Sequence, residues 1–193
     1  MEILKKRPVA IIITAVIIFL STVFSVNRTL GAECQKVRDG FFTGVVYEGY
    51  TRKSIAIQLK TRIDAANAVA SITANYSQVE IETQDLRDAR NRLIDALNEA
   101  KSGKASLKTV YNANKELQDA FDNLEKGMEA IELSEREAEN FKNNRSDFYG
   151  AQAAIEKAGY NEAVHEFYRT TLNVFPTNFL WRISWVDPPE LYE

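Results

Sequence analysis

Residues that carry chemistry are scarce in this chain of 193 amino acids, which has one cysteine, Cys34, and one histidine, His165. Cys34 can form no intramolecular disulfide, so stability must come from packing. It follows Gly31-Ala32-Glu33, with Glu where a lipidated cysteine follows a small residue, and is expected as a free or buried thiol. His165 has Glu162 as its only local carboxylate partner, Tyr168 and Arg169 standing at i+3 and i+4. That pattern fits a surface pair better than a metal site. There is no GxGxxG and no Walker-type glycine-rich loop, so no nucleotide signature is present. No Ser-His-Asp or Cys-His arrangement presents itself either.

Breakers are equally few. Of 4 prolines and 8 glycines, Pro176, Pro188 and Pro189 cluster toward the C-terminal end, which leaves the middle free for long helices. The formal net charge is −3, and the part after the first eight residues carries −5. A surface of that sign lacks the basic face needed to displace counterions, so no nucleic acid partner is expected.

The longest uninterrupted feature is "VAIIITAVIIFLSTVFSV", Val9 to Val26, in which Thr14, Ser21, Thr22 and Ser25 are the only polar residues. Eighteen helical residues rise roughly 27 Å, close to the hydrocarbon thickness of a bilayer. A run that is apolar on every side is expected to cross a membrane. A cleaved signal peptide competes, because Lys5, Lys6 and Arg7 also make an n-region. The run is longer than a usual h-region, and Val23-Phe24-Ser25 is a poor cleavage site, so a retained anchor is favoured. The basic cluster predicts a cytoplasmic N-terminus and an extracytoplasmic remainder, with Arg28, Lys36 and Arg38 counting against that orientation.

After a polar connector, 27–44, apolar residues recur every three or four positions. Ile55, Leu59, Ile63, Ala66, Val69, Ile72, Tyr76 and Val79 form one stripe; Leu86, Ala89, Leu93, Leu97 and Ala100 form a second, closed by a break at Lys101–Ser106. Leu107, Val110, Asn114, Leu117, Phe121, Leu124, Met128 and Ile131 make a heptad stripe. It weakens toward Phe141, and Asn143–Ser146 reads as a turn. A last helix is expected from Phe148 to Val174, stopped by Phe175-Pro176. Glu132, Glu135, Glu137 and Glu139 read as a solvated face. The expected fold is all-α: an antiparallel helical bundle of three or four long helices behind a single N-terminal transmembrane helix. Its divisions are a basic N-terminus (1–8), the span (9–26), the connector (27–44), the bundle (45–176) and an aromatic tail (177–193).

Several motifs resemble the LemA family of membrane-anchored bacterial helical proteins. They are "IQLKTRID" at Ile57–Asp64 with Arg62 and Asp64, Ala89-Arg90, "YNEAV" with Tyr160, Asn161 and Val164, the pair Phe167-Tyr168, Phe175-Pro176-Thr177-Asn178, and the closing Tyr192-Glu193. The resemblance covers about Ile55 to Glu193 and is more specific toward the C-terminus. Asn67-Ala68 and Gly150-Ala151 stand where the family carries other residues. What the resemblance implies is a bundle with one membrane helix, and little about biochemical role.

The motif residues read as structural: Tyr160, Phe167 and Val174 are seven apart and share a helix face, and Asn161 can close a polar contact at its rim. Trp181, Trp185 and Tyr192 fall outside any helical stripe and are the candidates for contact with a partner or with lipid. The functional expectation is a non-enzymatic scaffold or adaptor of the cell envelope, without cofactor or metal. It would act through unidentified envelope proteins, with homo-oligomers possible. The alternatives are an enzyme or subunit with a carboxylate-rich metal site, and a coiled coil self-assembling through the Leu107–Ile131 stripe.

Overall fold

The computed structural model describes residues 7–47 and 49–193; Lys5 and Lys6 of the basic cluster lie outside the described residues. The chain is an all-α bundle with a long N-terminal helix. It divides into two compact units, one comprising the chain up to Arg38 with Val164–Pro189, the other Asp39–Ala163 with Glu190–Glu193.

Helix α1 spans Arg7–Thr43. The expected connector, 27–44, is thus helical almost throughout, and the reason is a change of pattern. The all-round apolar run gives way at Val26 to a single stripe, in which Leu30, Cys34 and Phe41 are buried. Such a stripe continues a helix as well as the run before it does. Gly44, with φ +94°, ends it in the left-handed conformation that favours glycine.

In the first unit, Leu30 and Cys34 of α1 pack with Leu172 and Val186, and Val26, Phe167, Tyr168 and Trp181 cover them. The Tyr168 hydroxyl donates to the Pro189 carbonyl at 3.4 Å and the Arg38 guanidinium to the Asp187 carbonyl at 2.9 Å. Helix α7 (Thr177–Ile183) lies in what the sequence presented as an irregular tail.

The second unit is the bundle: α2 (Ile55–Thr73), α3 (Glu80–Lys101), α4 (Leu107–Met128) and α5 (Glu135–Glu156). Short connections make them run up-down-up-down. A two-residue antiparallel rung, β1 (Val46–Tyr47) with β2 (Tyr50–Thr51), precedes them. Backbones approach most closely between α2 and α5, α3 and α4, and α2 and α3. Large side chains fill the space between α4 and α5, chief among them Phe121 and Phe148, stacked with centroids 3.8 Å apart. The α4 stripe is buried from Leu107 to Met128, Asn114 included, so in this fold it forms the chain's own core.

Three boundaries differ from the sequence reading. The first stripe does not run through to Val79: α2 ends at Thr73, a 3-10 turn follows at Ser77–Val79, and α3 begins. The turn expected at Asn143–Ser146 lies inside α5, where Asn144 back-bonds to the Asn140 carbonyl at 2.8 Å. The helix starts instead at a capping box, Ser134 receiving the Glu137 N–H while the Glu137 carboxylate accepts from the Ser134 N–H. The expected helix from Phe148 to Val174 is broken at Gly159, φ +72°; α6 (Tyr160–Phe167) follows and widens into a π-type turn at Tyr168–Leu172. A Cβ at Gly159 would lie 3.0 Å from that of Tyr47, so both backbone and space require glycine there.

Candidate functional site

At the centre of the bundle a formal charge is buried without a counter-ion. Arg62, on α2, is 0% exposed. Its guanidinium donates to the side-chain carbonyls of Asn114, Gln118 and Gln152, the last at 2.6 Å. Its flat face lies 4.1 Å from the Phe148 ring centre, a cation–π contact. Among the described residues no carboxylate pairs with it directly. Compensation arrives one amide further out: Gln118 donates to Asp122 at 2.7 Å and Gln152 to Glu156 at 3.2 Å. Burial lowers the Arg62 pKa to about 10, against the opposing pull of Tyr192, Asp122, Tyr149 and Glu156. The guanidinium remains charged at neutral pH, and its Nε–H finds no partner.

Helical spacing assembles this cluster. Asn114, Gln118 and Asp122 are successive i,i+4 positions on α4, and Gln152 and Glu156 are another such pair on α5. Tyr149, one helical turn before Gln152, shares its single hydroxyl proton between Asp122 at 2.7 Å and Glu125 at 2.6 Å. Burial first, and then these two carboxylates, push its phenol pKa upward.

Beside the cluster the C-terminal residues are held as a bound peptide would be. The Asn161 side chain accepts the Tyr192 N–H at 2.9 Å and donates to the Tyr192 carbonyl at 3.1 Å. Tyr160 donates to the Glu190 carbonyl at 2.9 Å, and the Glu190 carboxylate accepts the Leu107 N–H at 2.8 Å. The Tyr192 ring sits against Phe41 and Tyr111, centroids 5.5 and 5.4 Å away. Its hydroxyl is buried beside Asn114 and Arg62, and burial, outweighing both, raises its pKa. A pocket of about 260 Å³ opens here among Tyr111, Asn114, Gln152, Tyr160 and Tyr192.

No family model, curated protein or solved structure matches this chain.

The motif residues therefore scatter. Arg62, Tyr160, Asn161 and Tyr192 come together around the pocket and its floor. Val164 is buried, whereas Asp64 is exposed in a shallow groove beside Lys60 and Lys101. Arg90 bonds Asn67 and Asn91 at the surface. Phe167 packs on the Leu30–Cys34 cluster, but Val174, expected on the same face as Tyr160 and Phe167, is exposed because the π-type turn at Tyr168–Leu172 shifts the register and ends the helix before it. Phe175, Pro176 and Asn178 are exposed.

The tail aromatics divide as well. Tyr192, grouped from the sequence with the exposed candidates, is only 6% exposed, and Trp181 is half-buried; Trp185 is 86% exposed. Sequence reasoning passed over Asn114, Gln118 and Gln152. The available signal was Asn114, a polar residue on a heptad core position, where an amide is retained only if something buried needs it. Among the described residues no three His, Cys, Asp or Glu side chains converge as metal ligands.

Proposed function

We propose that this chain is a LemA-like, non-enzymatic scaffold or adaptor, anchored by α1 in the bacterial cytoplasmic membrane. In this reading the bundle faces the extracytoplasmic side and acts through contacts with envelope proteins. The observation that carries it is the exposure of α1. Its most apolar 18-residue window has a mean hydropathy of 2.7 and is 0% buried against the rest of the chain. Leaving so many aliphatic side chains in water would forfeit roughly 1.5–3 kcal/mol for each that a bilayer could cover.

Retention of the helix is supported by its continuation. A cut after the apolar run would fall inside α1, a few residues before Leu30 and Cys34, which close the core of the first unit. The adaptor role is supported by the disposition of polar groups. Within the Arg62 network the guanidinium itself is fully buried and engaged by amides of α4 and α5, as expected of a group that orders a core.

The test is alkaline carbonate extraction of cells expressing the tagged full-length chain, with crosslinking by a membrane-impermeant reagent and mass spectrometry. Resistance to carbonate, release by detergent and one recurrent crosslinked envelope protein are expected. Extraction by carbonate would overturn the anchor. Integral behaviour with no crosslink to the bundle in intact cells would overturn the extracytoplasmic orientation and the adaptor role built on it.

A further inference from the structure

We infer that the groove between the C-terminal end of the apolar run of α1 and Trp185 holds a phospholipid acyl chain near its glycerol end, so that the Trp185 ring rests in the bilayer interface. The inference rests on the membrane reading of α1. The groove, about 740 Å³, is lined by Leu20, Ser21, Val23, Phe24, Asn27 and Trp185, all within one compact unit. Trp185 and Phe24 are 86% and 72% exposed, two large aromatics left open on either side of one apolar cleft.

The level of this cleft decides its occupant. Leu20 to Asn27 covers only about 10 Å of helix rise, and it is the last part of a run whose length matches a bilayer. Trp185 therefore stands where the hydrocarbon ends, the depth at which tryptophan is enriched because its ring is apolar and its N–H polar.

Two further features agree. Just beyond the cleft α1 carries Arg28, Lys36 and Arg38 against Glu33 and Asp39, and Arg182 precedes Trp185 with Asp187 after it, four basic groups against three acidic ones. This basic excess suits lipid phosphates. Trp185 is also held at φ 52°, a left-handed conformation unfavourable for a bulky side chain, and its neighbour Ser184 is tied by its carbonyl to the Asn27 amide. The backbone that carries the ring is thus tied beside α1. The same stretch leaves Phe175 and Phe179 exposed.

The test uses three single-tryptophan versions of the full-length chain in vesicles of phosphatidylcholine and phosphatidylglycerol, with acyl chains brominated near the glycerol end. Trp181→Phe leaves Trp185, Trp185→Phe leaves Trp181, and Ile17→Trp with both tryptophans replaced by Phe reports on the span. Bromine near the glycerol end is expected to quench Trp185 about threefold or more over Trp181, in keeping with an interfacial ring, and matched vesicles brominated near the chain ends are expected to quench the tryptophan at position 17, at the middle of the span. Quenching at position 17 with Trp185 untouched would overturn the lipid groove while leaving the anchor standing. No quenching at either position would overturn the anchor, and the groove with it.

Discussion

A buried arginine without a direct ion pair is costly unless its charge is delocalised and each N–H has a fixed acceptor. Arg62 meets most of that demand with three amide carbonyls and the Phe148 face. Arg62→Met keeps the apolar stem but strands three acceptors, and is expected to lower stability by about 1–3 kcal/mol, since relief of the buried charge offsets part of the loss. The midpoint of urea unfolding of the detergent-solubilised chain measures it; an unchanged or raised midpoint would show that the network costs more than it contributes.

Alkaline pH probes the same cluster with opposing signs. The Arg62 pKa is lowered in the fold to about 10, so the unfolded chain binds more protons above that pH, and this group adds stability as pH rises. The phenols of Tyr149 and Tyr192 have raised pKa values. Each stabilises the fold fully below the ordinary tyrosine value, and the contribution is lost as pH climbs through and beyond it. Two losses against one gain predict falling stability above about pH 10. Tyr149→Phe is expected to flatten that slope in a pH series of thermal melts.

At the scale of elements, the stripes of α2, α3 and α4 were legible because burial follows helical period: Leu59, Leu86, Leu93, Leu117, Phe121 and Leu124 are all buried. Boundaries were less so, because Asn and Ser serve equally as turn formers and as tolerated residues on an exposed helix face. Asn143–Ser146 reads as the break, whereas Ser134 and Glu137 supply it. Gly159 went unread since a glycine within an apolar period looks tolerable until its φ is known. Gly159→Ala should cost about 1–2 kcal/mol for the left-handed backbone, with crowding against Tyr47 at 3.0 Å added to it. Denaturant unfolding of the variant decides the matter: a cost no larger than that of an ordinary exposed helix substitution would mean that the α5–α6 break is not needed.

For the whole molecule, the proposed membrane anchoring rests on the apolar run of α1. Placing a charge at its middle, Ile17→Lys, should cost about 2.5–3.5 kcal/mol of insertion free energy. It is expected to move a measurable share of the protein into the carbonate-extractable fraction. Full retention in the pellet would indicate that lipid insertion of this segment is not what holds the protein there.

What the amino-acid order determined by itself was the class of the fold and the presence of an N-terminal helix long and apolar enough to cross a membrane. Both follow from short-range periodicity and hydropathy, which any helix must obey regardless of its neighbours. Only the tertiary structure decided that Arg62 lies among amides contributed by α4 and α5, and that Tyr192 is gripped by Asn161 while Trp185 stands open beside Phe24. Those outcomes depend on which helix faces meet across long sequence separations. Local pattern carries no record of that choice beyond a single misplaced asparagine at position 114.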